Sequence, residues 1–126
     1  MMMIFAVAVG GALGSVARYM LSGFTTDIVS SSFPWGTLSV NVLGSFLMGA
    51  VVTYMALAWN PSAEVRAFLT VGLLGGFTTF SLFSLDVINL WERGASMAAM
   101  SYVLISIIVS LFAIILGIMV VKAVVS

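Results

Sequence analysis

Apolar residues fill the chain in long blocks, and polar residues mark where the blocks end. The charged positions are Arg18, Asp27, Glu64, Arg66, Asp86, Glu92, Arg93 and Lys122, which leave uncharged runs at 1–17, 28–63, 67–85 and 94–121. A helix crossing a bilayer needs about 20 apolar residues. The run 28–63 exceeds one crossing, but SSSFPWG at 30–36 and WNP at 59–61 place turn-forming residues at its ends. The pattern predicts helices near 3–23, 36–58, 65–91 and 96–124, forming a single four-helix transmembrane domain over residues 1–126.

The third block departs from this plan at residues 72–84, GLLGGFTTFSLFS. Each of the paired glycines, Gly75 and Gly76, weakens helical propensity by roughly 1 kcal/mol relative to alanine. Thr78, Thr79 and Ser81 then add hydroxyls and β-branching where a plain crossing would carry Leu and Val. Irregular backbone at membrane depth persists only where protein buries it or where it lines a wet cavity. A helix broken near 75–79 is therefore expected, serving an ion or a small polar solute.

Composition narrows the class. Of 126 residues, 63% are hydrophobic and 6% charged. A soluble domain carries about 25% charged residues, so the partner is the lipid bilayer and no nucleic acid is expected. The absence of Cys and His excludes disulfides, thiolate sites and imidazole chemistry. With no carboxylate pair at catalytic spacing either, an enzyme is not expected. The first block has no basic segment before it and reads as a retained helix, not a cleaved signal.

Charge placement bears on orientation. With a cytoplasmic N-terminus, the inside ends hold Arg66 and Lys122 and the outside ends Arg18 and Arg93. Lys/Arg imbalance normally orients a membrane protein, and here there is none. Either other cues orient the chain weakly, or it inserts both ways and assembles as an antiparallel dimer. Four short helices enclose a polar path with difficulty, which favours an oligomer. No internal repeat is visible, so inverted symmetry would have to come from two copies of the chain.

Each helix carries one stripe unlike a lipid-facing surface. Gly10, Gly14 and Arg18 recur every fourth residue on the first. The glycines fit small-residue packing, while Arg18 either snorkels to the interface or is buried, holding a helix end or favouring an anion. Thr37, Asn41, Ser45 and Gly49 share one face of the second helix. Polar groups there either glue helices together or, as with the donating amide of Asn41, suit a partly dehydrated anion. Tyr102, Ser106 and Ser110 form either a donor track on the fourth helix or serines bonded to their own turn. Phe77, Phe80 and Phe83 are core, or rings whose positive edges receive an anion.

GGALGSVARY at 10–19, WGTLSVNVLGSFLMG at 35–49 and GLLGGFTTFSLFS at 72–84 resemble the signature segments of the Fluc (CrcB) fluoride channel family. The resemblance covers essentially the whole chain. It implies an all-α membrane protein forming an antiparallel, dual-topology homodimer in the bacterial inner membrane. The dimer would export fluoride passively through two pores, with a structural Na+ on its two-fold axis. By the same resemblance, backbone carbonyls of Gly75 and Thr78 hold Na+, and Phe80 and Phe83 line the fluoride path. Asn41 then hydrogen-bonds the ion, with Thr79 and Ser81 as neighbouring hydroxyls. Tyr102, Ser106 and Ser110 form the polar track, Thr37 faces it, and Arg18 stands in the vestibule.

Two positions depart from the family pattern: Leu82 where a threonine is usual, and Asp86 where many relatives carry Glu. The implied chemistry is coherent, because a strongly hydrated small anion needs many close donors and no fixed charge that would trap it. Two other classes compete. A small proton-coupled multidrug-type transporter needs an intramembrane carboxylate, for which Asp86 is the candidate. A purely structural subunit accounts for the glycines but not for Asn41 with Phe80 and Phe83.

Overall fold

The computed structural model describes residues 1–29 and 33–125. Among them the regular structure is entirely helical: α1 (Met2–Val29), α2 (Trp35–Leu57), α3 (Ala63–Ala67), a π-helical stretch (Phe68–Leu74), α4 (Gly75–Phe77), α5 (Phe80–Glu92) and α6 (Ser96–Val125). Four stretches are long and apolar enough to cross a membrane: Met2–Val29, Trp35–Leu57, Ala63–Glu92 and Ser96–Val125. Of the turn residues expected before α2, Ser30, Ser31 and Ser32 lie outside the described residues.

The first helix runs six residues beyond the expected end near 23. The reason is local. Thr25 and Thr26 donate their hydroxyls back to the carbonyls of Leu21 and Ser22, both at 2.9 Å, so they satisfy themselves inside a helix. The 28 residues of α1 span about 42 Å.

Turn chemistry closes the other ends. Ser62 caps α3 by accepting the Val65 N–H at 3.2 Å. At the end of α5, Gly94 adopts φ 82°, a left-handed conformation open to glycine. Its N–H reaches the Trp91 carbonyl at 3.1 Å, and the Ala95 N–H reaches Leu90 at 2.9 Å. This paired closure satisfies two terminal carbonyls and turns the chain into α6.

The third crossing changes character four times, from α3 to π-helix, to α4, to extended backbone and to α5. The π-helical stretch was not legible beforehand. Gly75 is helical (φ −63°, ψ −37°), whereas Thr78 (φ −88°, ψ 159°) and Thr79 (φ −152°, ψ 123°) are extended. Helical geometry lapses at the β-branched threonines just after the glycine pair, in residues that suit extended backbone.

Glycines set two close helix contacts. A Cβ on Gly10 would lie 2.6 Å from the Phe68 carbonyl oxygen, and one on Gly72 would lie 3.0 Å from the Gly10 Cα. Helix α1 therefore packs backbone to backbone against the π-helical stretch. In the same way a Cβ on Gly49 would strike the Ile114 carbonyl, and one on Gly117 the Phe46 carbonyl. Lipid tails are as apolar as the helices, so no hydrophobic effect drives association and such close approach supplies the packing energy. The glycines of the first helix are thus an interior packing face, and Gly49 and Gly117 make the corresponding contact between the second and fourth. Leu38, Leu90, Ala99 and Tyr102 form a buried cluster joining α2, α5 and α6.

Gly117→Ala should separate α2 from α6 at a cost of about 1–3 kcal/mol. Gly23→Ala, where a Cβ meets nothing within 4 Å, should be neutral or stabilising by up to about 1 kcal/mol. Thermal unfolding of both variants in detergent checks this; equal melting temperatures would remove the packing role of Gly117.

Candidate functional site

The site grows from the lapse at Thr78–Thr79. In an unbroken helix each N–H would donate to the carbonyl four residues earlier. Thr79's N–H would meet Gly75, but instead it donates to Asn41 Oδ1 at 2.8 Å. The Asn41 Nδ2–H returns a bond to the Thr79 carbonyl at 3.1 Å. Leu82's N–H would meet Thr78, but it donates to Thr79 Oγ1 at 3.2 Å, capping α5. Gly76's carbonyl, whose helical donor would be Phe80, accepts the Arg18 Nε–H at 3.1 Å. Side chains from α1 and α2 thus take over bonds that the helix gives up.

A groove of about 420 Å³ opens beside this link. Asn41, Ser45, Thr79, Phe80, Phe83, Ser106 and Ser110 line it together with Gly44, Thr78 and apolar residues of α2 and α6. None of its lining residues is charged. Phe80 and Phe83 stand 5.5 Å apart between ring centres, tilted by 43°. In the single chain Phe80 is 77% exposed. The Ser106 hydroxyl is the one buried side-chain polar atom without a hydrogen-bond partner among the described residues. Such a group costs about 1–3 kcal/mol, so its place on the groove invites a ligand.

The remaining candidates sit around the groove. Tyr102, fully buried, sets its ring 5.1 Å from Phe83, tilted by 43°, and donates its hydroxyl to Asp86 Oδ2 at 3.1 Å. Ser81 is exposed, with Oγ 3.3 Å from Thr79 Oγ1. Thr37 and Arg18 line a second cavity of about 460 Å³ with Ser15, Ser22, Thr26 and Asp27. Thr79 borders both spaces.

Six of the residues expected along the fluoride path therefore meet at one groove, namely Asn41, Thr79, Phe80, Phe83, Ser106 and Ser110, and Thr78, expected at the Na+ site, joins them. Thr37 and Arg18 belong to the adjoining cavity. Three features escaped the sequence reading. The Tyr102–Asp86 pair joins residues sixteen positions apart on different helices, so no local spacing marks it. Thr78 spends its hydroxyl on the Leu74 carbonyl at 3.1 Å. Gly44, one turn beyond Asn41, abuts Thr78; the only sequence signal was a glycine on a polar face.

Comparison with known proteins adds a second line. A family model described as "CrcB-like protein, Camphor Resistance (CrcB)" matches residues 5–118. A protein of Agrobacterium fabrum named "Fluoride-specific ion channel FluC" is 50% identical over 111 residues, 88% of this chain and 89% of its own length. A protein of the same name from Rhodospirillum centenum is 48% identical over the full length of both chains. Another, from Rhizobium etli, is 46% identical over 98% of each.

Arg18→Ala removes a charged donor from a partly buried carbonyl, a bond worth about 1.5–3 kcal/mol. The expected result is a lower unfolding temperature in detergent, partly restored by Arg18→Lys, whose ammonium is also a charged donor. A melting temperature unchanged in the alanine variant would show that water serves Gly76 equally well.

Proposed function

The chain belongs to the CrcB-like family, and from that premise we propose that it is a fluoride-selective channel through which the ion leaks outward passively. It is a multi-pass protein of the bacterial inner membrane and a conduit, not an enzyme. The relatives' names supply the identity of the ion. The observation that carries an anion path in this chain is the buried, unpartnered Ser106 hydroxyl on an uncharged groove.

Fluoride surrenders its water only to a dense set of donors. Ser106 and Ser110 offer hydroxyls. Asn41 spends one Nδ2 hydrogen on Thr79, which leaves the second for the ion. Phe80 and Phe83 offer positive ring edges, with Thr79 and Ser81 beside them. Tyr102 and Thr37 extend the polar lining, and Arg18 raises the potential of the adjoining cavity. Neutral donors spread over several positions admit the ion without trapping it. Outward leak is sufficient for protection when fluoride enters as the neutral acid and dissociates inside.

The finer architecture is part of the same proposal. Two antiparallel copies form a dimer with two pores, which covers Phe80 and other exposed groups of the third crossing. The Gly75 and Thr78 carbonyls are the two whose helical donors turn to Asn41 and Thr79. Neutral oxygen donors suit a hard monovalent cation such as Na+. These residues therefore fit Na+, which would supply a fixed positive charge joining the broken crossings of both copies. The proton-coupled transporter built on Asp86 is not favoured by the relatives.

Efflux from liposomes containing the purified protein, with potential set by valinomycin, should show rapid fluoride loss and retained chloride. Phe80→Ile and Phe83→Ile should each slow fluoride loss by roughly tenfold, the factor matching about 1.4 kcal/mol of lost stabilisation. Undiminished flux in both would remove the ring edges from the path. Equal loss of chloride would overturn the selectivity.

A further inference from the structure

The carboxamide of Asn41 is doubly engaged with one peptide unit. It accepts the Thr79 N–H at 2.8 Å and donates to the Thr79 carbonyl at 3.1 Å, across 38 residues of sequence. This is the pairing that a neighbouring strand would offer, and Thr79 holds the extended geometry to receive it (φ −152°, ψ 123°). No other described hydrogen bond serves that N–H.

Access to the pairing depends on Gly44, three residues along α2 and therefore on the same face. A Cβ there would strike the Thr78 side-chain methyl and stand 3.2 Å from Phe77 Cδ2. Gly44 is buried, and the Thr78 side chain is held by its hydroxyl's bond to the Leu74 carbonyl at 3.1 Å, so its methyl cannot swing aside without giving up that bond. A methyl group at 44 would push the link off α2 and lengthen both bonds to Asn41.

We infer that Asn41 and Gly44 are positioning residues, a clamp and its socket, which fix the extended Thr79 link and so place the ring of Phe80 and the capping hydroxyl of Thr79 at the groove. Thr79 is the N-cap of α5, and its Oγ1 holds the Leu82 N–H at 3.2 Å. Where Thr79 stands, α5 begins, and Phe80 is its first residue. Asn41 therefore acts on the path through backbone as well as through any direct contact with the ion. The clamp follows from the geometry alone; only its consequence for flux rests on the channel reading.

Amide hydrogen exchange on the uniformly labelled, reconstituted protein tests the clamp without reference to any ion. In the wild type the Thr79 amide should exchange at least tenfold more slowly than that of Asn60, another non-helical residue. Asn41→Ala and Gly44→Ala should each accelerate Thr79 exchange by roughly tenfold or more. Amides of α6 should be unaffected. Both variants should lose fluoride flux together, although Gly44→Ala removes no polar group from the groove.

Fast Thr79 exchange in the wild type would overturn the clamp even if neither variant folded. Lost flux in Asn41→Ala with Thr79 still protected would overturn it in favour of ion contact alone. Accelerated exchange with undiminished flux in Gly44→Ala would overturn the positioning role. A wild type with protected Thr79 but no fluoride flux would sink the channel reading and leave the clamp standing.

Discussion

Everything in this molecule answers to one constraint: in the interior of a membrane no water is on hand to satisfy a peptide group. A continuous helix meets the constraint by itself, whereas an interrupted one must borrow donors and acceptors from its neighbours. Around Thr78 and Thr79 the third crossing makes three such repairs, two borrowed and one its own. Asn41 on α2 takes the Thr79 peptide from both sides. Arg18 on α1 serves the Gly76 carbonyl. Thr79's own hydroxyl caps the helix that follows. Each loan fixes a side chain that would otherwise have several rotamers, so the interruption organises its surroundings.

Borrowing requires neighbours at very short range, and the glycines provide it. Gly10 and Gly72 bring α1 against the π-helical stretch, and Gly14 brings it against Leu73 just ahead of the interruption. The Arg18 side chain, one turn beyond Gly14, is thereby delivered to Gly76. On the other side, Gly49 and Gly117 lock α2 to α6. That lock sets the two walls of the groove, with Asn41 and Ser45 on one and Ser106 and Ser110 on the other. Packing stripes and functional stripes are thus parts of one arrangement. Gly10, Gly14 and Arg18 lie on one face because the contact and the capping bond are made by the same face.

Much of this was legible in the sequence, and the limits of legibility are physical. Block lengths and turn residues marked four crossings because hydropathy and turn chemistry, as in WNP at 59–61, are local properties. The end of α1 lies six residues past the expected one because Thr25 and Thr26 fold their hydroxyls back on the helix, which residue type alone does not show. Asn41 stood out as a carboxamide in an apolar helix, whose amide either glues helices or suits an anion, with no hint that the Thr79 peptide would engage it on both sides. Partners that lie 38 or 58 residues apart, as for Asn41 and Arg18, leave no periodic trace. The Tyr102–Asp86 bond was hidden for the same reason.

The groove's chemistry also depends on which groups are already committed. Ser84 gives its hydroxyl to the Phe80 carbonyl at 3.0 Å, and Thr78 gives its own to Leu74. Thr79 Oγ1 receives the Leu82 N–H. A hydroxyl that gives its hydrogen away, as those of Ser84 and Thr78 do, is a poorer anion ligand than its count in the sequence suggests, whereas one that only accepts keeps its donor. Ser106 is different, since its hydroxyl is buried without a partner and its neighbours across the groove are rings and an amide already held by Thr79. An uncommitted donor in that position destabilises the empty protein slightly and rewards an acceptor that arrives. A lysine there would reward it too well, and a valine not at all. A path built from a few uncommitted neutral donors, set among many committed ones, can therefore be selective for a hard anion and still release it.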